Sequence, residues 1–195
     1  VPANSNIKSM GDLVSAYKAN PSAVAIGGGS VPGGMDHLVA AMVMQAAGAD
    51  PTEVKYVAYD AGGKAMAALL SGEIKALSTG FSEAVAMAKA GEANIIGVTS
   101  NDRVGAFPDA QTMKEQGIDT YFVNWRGFFA APGLPQDKLD AYQKAIAKMY
   151  ETPEWEEVRA RNGWENIHNP GSDFMTFLEG QEKEIGDLMK KLGFL

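Results

Sequence analysis

The sequence predicts an α/β fold with a mainly parallel sheet flanked by helices. Three times in the first half of the chain, an apolar stretch ends in a turn rich in glycine or hydroxyl groups. A helical pattern then follows each turn, with apolar residues three and four positions apart, and ends at a glycine. Strands that alternate with helices in this way are typical of parallel sheets. With 46% hydrophobic residues, the chain is expected to fold around an ordered core.

The first half divides into short elements. Ser9 is expected to cap a helix from Met10 to about Lys18, and a later helix is expected to begin near Met35. A further helix spans residues 64–71, and the next is capped by Ser82 and ends at Gly91. The predicted strands are residues 23–26, 54–59, 74–79 and 94–100.

The second half contains more aromatic residues and more helical patterns. Residues 112–116 predict a short helix, and residues 121–131 predict a long aromatic strand that passes between two lobes. Helices are then expected from Gln136, from Pro153 and from Ser172. No strand is predicted after residue 131, so we expect these helices to cover a sheet formed by residues upstream of this chain, which opens on valine and resembles a processed or truncated product.

The stretch AVAIGGGSVPGGMDH, residues 23–37, has five glycines within eight residues and leads into a helix. Such a turn exposes backbone N–H groups, and the helix N-terminus adds a positive dipole end, which together suit a carboxylate or phosphate. The dinucleotide-binding fingerprint fails because Pro32 takes a glycine position. The P-loop fails because Gly34 and Met35 stand where Lys and Ser or Thr are required. A tight turn that needs glycine only for packing remains the alternative.

Ligands of open parallel sheets bind beyond the carboxyl ends of the strands, where the turns converge. We name the first turn (residues 27–34), the second turn (60–63) and the third turn (78–80). Most of their groups are N–H or hydroxyl donors, whereas the Asp60 carboxylate suits a ligand hydroxyl, a protonated acid or a cation. The predicted ligand-binding residues are Gly28, Gly29, Ser30, Gly33, Gly34, Asp60, Gly62, Gly63, Ser78, Thr79 and Gly80.

Charge and composition argue against several classes of function. A net charge of -7 disfavours binding to nucleic acid and to anionic membranes, and the lack of cysteine excludes thiolate chemistry. His37 and His168 lack metal-ligand spacing, so no metal or other cofactor is expected, and His37 is interpreted as an ordinary residue of a first helical turn. Ser30 lacks a nucleophile elbow, and no catalytic residue is predicted. Arg126 is expected to stabilise the hinge rather than to bind ligand.

Six ordered motifs resemble the extracytoplasmic receptors of tripartite tricarboxylate transporters, the TctC-type branch of the Bug family. They are GGGSVPGGMDH, YVAYDAGGKAMAALLSGEI, LSTGFSE, GVTSNDR, PDAQTMKEQG and NWRGFFAAPG. The resemblance implies a periplasmic-binding-protein-like, type II Venus-flytrap fold. Residues 1–124 would then form the second, inserted α/β ligand-binding lobe. Residues 125–195 would form the crossover strand and the C-terminal helices that return to the first lobe.

The resemblance also implies a function. The chain would be a monomeric periplasmic receptor, here without its signal peptide, that binds citrate or a related di- or tricarboxylate through its three turns. It would deliver this ligand to a membrane permease of one large and one small subunit. Two alternatives remain open, a ligand-sensing module of the same fold that regulates a partner protein, and an enzyme acting on a phosphate-bearing ligand at the first turn.

Overall fold

The computed structural model describes residues 1–195, which form two compact units. The first unit comprises Val1–Val123 and Ile185–Leu195, and the second comprises Asn124–Glu184. The assignment of residues 1–124 and 125–195 to two lobes stays a prediction. The strands are β1 (Ile26–Gly28), β2 (Tyr56–Ala58) and β3 (Ala76–Leu77). The helices are α1 (Met10–Ala19), α2 (Met35–Ala46), α3 (Gly62–Leu70), α4 (Phe81–Lys89), α5 (Gln136–Met149), α6 (Pro153–Asn162) and α7 (Ser172–Lys191).

The first unit contains a three-stranded parallel sheet with the order β2-β1-β3. Ile26 is in register with Tyr56 on one side and with Ala76 on the other. One apolar cluster joins β1 and β3 to α1 and α2, and a second joins α3 to the segment around Ile74. The predicted alternation of strands and helices is therefore confirmed for this unit, and the carboxyl ends of all three strands point the same way.

Local chemistry explains where several helices begin. Ser9 and Asp12 form a capping box at the start of α1, in which each side chain accepts a hydrogen bond from the backbone of the other. Thr152 caps α6 through a hydrogen bond from the Trp155 N–H, and Pro153 takes its first position. These predictions from the sequence are confirmed. The prediction that Ser82 caps a helix is wrong, because α4 begins at Phe81. Ser82 therefore lies inside the helix, and Gly80 takes the cap position.

Two predicted strands are absent. Residues 94–100 form no strand, because their backbone groups bond elsewhere: the Val98 N–H donates to the Gln111 carbonyl, and the Met113 N–H donates to the Val98 carbonyl. Residues 121–131 also form no strand, because no strand lies beside them to complete a ladder. The short helix predicted at 112–116 is only a 3-10 turn, Lys114–Gln116.

The second unit consists of α5, α6, the first part of α7 and the aromatic segment that precedes them. Trp125 contacts Phe129, Phe174 and Phe177 at ring-centroid distances of 5.3–6.5 Å. No residue of α5 or α6 is buried. None of the helices combines the length and the apolar character that crossing a membrane requires.

Arg126 lies in this second unit. Its guanidinium donates to the carbonyl and side-chain oxygens of Asn124 and lies 5.5 Å from the ring centre of Trp164. The side chain therefore has local partners, and its expected role at a hinge stays a prediction. His168 lies beside Tyr150, at 5.0 Å between ring centres.

Candidate functional site

The three turns meet at the carboxyl ends of β1, β2 and β3. A Cβ placed on Gly29 of the first turn would lie 2.5 Å from the nitrogen of Gly62 in the second turn. A Cβ placed on Gly62 would in turn collide with the carboxylate of Glu83, in the first turn of α4. The backbones of the first and second turns approach so closely that only glycine fits at position 29, whereas at position 62 the added atom would meet only the movable end of a side chain. The convergence predicted from the order of strands is present.

Asp36, at the start of α2, organises the first turn. Its carboxylate accepts a hydrogen bond of 2.8 Å from the Gly29 N–H, and its own N–H donates to the Ser30 hydroxyl at 3.0 Å. The Tyr56 hydroxyl of β2 donates to the Ser30 carbonyl at 2.9 Å and lies 3.2 Å from the Ser30 hydroxyl. Asp36 is buried, with 7% of its surface exposed. This network fixes the conformation of the first turn against the sheet.

Several interactions shift the pKa of the Asp36 carboxyl group, and they do not all act in the same direction. Burial raises the pKa of its carboxyl group, the hydrogen bond from the Gly29 N–H lowers it, and the nearby Glu83 carboxylate raises it. The net result is a pKa above the usual value. With Asp60, three acidic side chains lie at the turns, and any anionic ligand must approach where N–H groups outweigh them.

His37 holds the other end of the first turn. Its Nδ1 accepts a hydrogen bond of 3.0 Å from the Gly33 N–H, so Nδ1 carries no proton in this arrangement. The ring stacks on Tyr56 at 4.6 Å and meets the edge of Phe194 at 5.7 Å. Burial lowers the pKa of His37, which favours the same neutral state. Gly33 has a φ of +79°, a conformation that other residues rarely adopt.

Acceptors within the chain already bond several of the backbone N–H groups that were expected to bind an anion. The N–H groups of Gly29 and Gly33 bond to Asp36 and His37, and the Gly34 N–H donates to the Val31 carbonyl. The N–H groups of Ser30 and Met35 bond to no acceptor in the chain. Gly28 lies in β1, with Tyr56 and Asp36 close to the position of a Cβ. The first turn thus offers fewer free donors than its glycine content suggests.

The second turn adds free donors from a helix start. Gly62 and Gly63 are the first two residues of α3, and their N–H groups precede the first hydrogen bond within the helix. A Cβ on Gly63 would meet nothing within 4 Å, so this position faces open space. Asp60 is exposed and forms an ion pair with Lys64, one helical turn away. Its carboxylate is therefore partly neutralised at the edge of the site.

The third turn connects β3 to α4. The Ser78 N–H donates to the Gly27 carbonyl at 2.9 Å and ties this turn to β1. The Thr79 hydroxyl donates to the Glu83 carboxylate, and Gly80 precedes α4. All the predicted binding residues thus belong to turns that meet in the first unit.

Four further residues lie at this place that the sequence pattern did not predict, namely Asp36, His37, Tyr56 and Glu83. His37 does lie in a first helical turn, as predicted, and its ring is in addition a buried partner of the glycine turn. An available signal was the position of Asp36 and His37 close behind the last glycine of the first turn, with only Met35 between. Tyr56 and Glu83 are brought here by the packing of β2 and α4, which no local pattern reveals. No group of His, Cys, Asp and Glu side chains is arranged to hold a metal ion.

Comparison with known proteins identifies the family. The model of the tripartite tricarboxylate transporter family receptor, TctC, matches residues 1–194. The chain belongs to this family. A UPF0065 protein of Bordetella pertussis is 29% identical to it over 141 residues, which cover 72% of this chain and 44% of that protein. Because the TctC family is one of solute receptors, the chain is not an enzyme, and the alternative of an enzyme acting on a phosphate ligand is wrong.

Solved structures show the same fold. A TctC solute-binding protein from Polaromonas superposes with a TM-score of 0.86 at 23% identity, over 98% of this chain and 65% of that one. A protein of R. palustris solved with adipate superposes with a TM-score of 0.75 at 17% identity, over 99% of this chain and 64% of that one. The predicted periplasmic-binding-protein-like α/β fold is therefore confirmed. This TctC chain spans less than two thirds of the length of each of these relatives.

Proposed function

We propose that this TctC chain forms the carboxylate-binding part of a periplasmic receptor. The receptor captures a di- or tricarboxylate such as citrate and delivers it to a membrane permease with a large and a small subunit. The observation that carries the proposal is the convergence of three turns, with the N-termini of α2, α3 and α4, at one edge of a parallel sheet. Helix N-termini stabilise anions through unpaired N–H groups and the helix dipole.

One carboxylate of the ligand would bind the free N–H groups between the first and second turns. Ser30, Gly62 and Gly63 supply these donors, and Met35 adds one from the start of α2. Asp36 and His37 act as positioning residues, because each holds a glycine N–H and thereby fixes the direction of its neighbours. No arginine is required, since backbone donors bind a carboxylate through charge-assisted hydrogen bonds.

The acidic side chains would select among carboxylic acids. Asp60 is exposed at the edge of the second turn, and Glu83 lies between the second and third turns. Both accept hydrogen bonds and repel a second carboxylate that comes too close. A ligand hydroxyl group beside Asp60 would donate a hydrogen bond to its carboxylate, which favours hydroxy acids such as citrate. The adipate bound to the R. palustris protein of the same fold supports a carboxylic acid as the class of ligand.

A thermal-shift panel tests the proposal. The chain is heated with citrate, succinate, adipate, inorganic phosphate or ATP, each at the same concentration. A ligand at a hundred times its dissociation constant raises the free energy of unfolding by about 2.7 kcal/mol, which shifts the midpoint by several degrees. We expect a shift with the carboxylic acids and none with ATP. A shift with ATP or phosphate and none with any carboxylic acid would contradict the proposal.

A further inference from the structure

The end of α7 packs on α2 in the first unit. Leu188 is buried, with 5% of its surface exposed, in a cluster that contains Leu38 and Met42 of α2. The Lys191 ammonium group donates a hydrogen bond of 3.3 Å to the Gln45 side chain. These contacts anchor the last turns of α7 to the helix whose N-terminus belongs to the candidate site.

The chain reverses after α7 through a Schellman motif. The Phe194 N–H donates to the Met189 carbonyl at 2.9 Å, and the Gly193 N–H donates to the Lys190 carbonyl at 3.1 Å. Gly193 has a φ of +79°, which glycine adopts without a steric penalty. Two hydrogen bonds and an anchored helix therefore fix the backbone position of Phe194.

The ring of Phe194 lies against the first turn. A Cβ placed on Gly33 would lie 3.1–3.2 Å from three atoms of this ring. The ring also meets that of His37 at 5.7 Å in a T-shaped arrangement. Gly33 is therefore held by its hydrogen bond to His37 and covered by Phe194. Because Phe194 keeps 40% of its surface exposed, its ring covers the turn from the solvent side.

The tip of the first turn, residues 31–34, depends on these contacts. Its first two residues are exposed, and the Gly34 N–H closes the tip by donating to the Val31 carbonyl at 2.8 Å. The positive φ of Gly33, directly after a proline, matches the third position of a type II β-turn. Gly33 is thus the point at which the exposed tip is joined to the buried His37.

We propose that Phe194 is a positioning residue of the carboxylate site, whose ring holds the tip of the first turn in the conformation that binds the ligand. The tip includes the Val31 N–H, which bonds to no acceptor in the chain and would add to the donor of Ser30. A turn that is already ordered loses less conformational freedom when a ligand binds, and the affinity is correspondingly higher. The inference rests on the proposed function, because it assigns a role at that same site.

Calorimetry with citrate compares the original chain with three variants. Phe194→Ala removes the ring and Phe194→Tyr keeps it, whereas Phe128→Ala removes a ring of the second unit that is 77% exposed. We expect Phe194→Ala to weaken citrate binding about tenfold. This factor corresponds to about 1.4 kcal/mol, the order of the cost of ordering the backbone of one residue. Phe194→Tyr and Phe128→Ala should keep the original affinity.

NMR of the ligand-free variants distinguishes positioning from a general loss of stability. Phe194 helps to bury His37, so Phe194→Ala should move the pKa of His37 up toward its ordinary value. The Tyr56 hydroxyl group, on the ring stacked against His37, stays neutral in this range because burial raises its pKa. The Gly33 amide should also exchange its hydrogen faster in Phe194→Ala. Phe194→Tyr and Phe128→Ala should change neither property, and thermal midpoints report whether each variant remains folded.

Two results would overturn the inference while leaving the proposed function standing. The first is equal citrate affinity in Phe194→Ala and the original chain. The second is weaker binding in Phe194→Ala with no change in Gly33 exchange or in the His37 pKa, because the ring would then not act through the turn. Failure of citrate, succinate and adipate to bind the original chain would contradict the proposed function, and the inference with it.

Discussion

Single residues determine the shape of the candidate site more than its overall glycine content does. Gly29 allows the first turn to touch the second, and Asp36 and His37 hold two of the glycine N–H groups in place. Glycine is therefore required at some positions for close approach, whereas other positions have room for a side chain. Gly29 and Gly63 represent these two situations within one site.

Gly29→Ala should weaken the site, and Gly63→Ala should not. The added methyl group at Gly29 meets backbone atoms of Ala61 and Gly62 that cannot move without separating the turns. We expect a loss of about 1–3 kcal/mol in the free energy of unfolding and weaker citrate binding by calorimetry. Gly63→Ala has open space around it and lies in a helix, where alanine is favoured over glycine by about 0.5–1 kcal/mol. Equal citrate affinity in the two variants would show that the contact between the turns does not contribute to citrate binding.

His37 should make stability depend on pH. Its pKa in the folded chain is lowered, so the unfolded chain binds the proton more readily. The stabilising contribution is complete above the ordinary histidine pKa of about 6.5 and is lost as the pH falls toward the lowered value. His37→Asn keeps an acceptor for the Gly33 N–H but cannot be protonated, so its free energy of unfolding should fall less between pH 7 and pH 5.

The matched control for this experiment is His168→Asn, in the second unit. It makes the same substitution away from the first turn, and denaturant unfolding at several pH values would compare the two variants with the original chain. The Val1 amino group also titrates in this range, because burial lowers its pKa to about 6. Its contribution is common to all three proteins and cancels in the comparison. An identical pH dependence in His37→Asn and the original chain would show that His37 does not change its charge on unfolding.

At the scale of elements, the sequence predicts the features that depend on residues close together in the chain. The caps of α1 and α6, the start of α2 and the alternation of strands with helices follow from residues close together in the chain. The strand expected at residues 94–100 is absent, since pairing depends on a partner and its backbone bonds to residues 111–122 instead. The contact between Glu83 and the second turn has the same origin, because it arises from the packing of two helices. Patterns within one segment cannot show which segments meet.

At the scale of the whole molecule, the two units differ in how much apolar surface they bury. The first unit contains the sheet and the candidate site, and its core includes fully buried side chains such as Tyr17 and Ile74. The second unit leaves Phe128 and Phe129 at 77% and 70% exposure. The expectation that its helices cover a sheet from residues upstream of this chain stays a prediction. The receptor function proposed here depends on the first unit alone for its carboxylate-binding turns.

An amide-resolved NMR titration of this chain with citrate tests the central claim most directly, because it reports on each backbone N–H group separately. The account predicts that the largest chemical-shift changes occur at Ser30, Met35, Gly62 and Gly63, whose N–H groups have no internal acceptor. Smaller changes are expected at Gly29 and Gly33, which are already bonded to Asp36 and His37. Saturable shifts confined to residues outside the three turns would contradict the account.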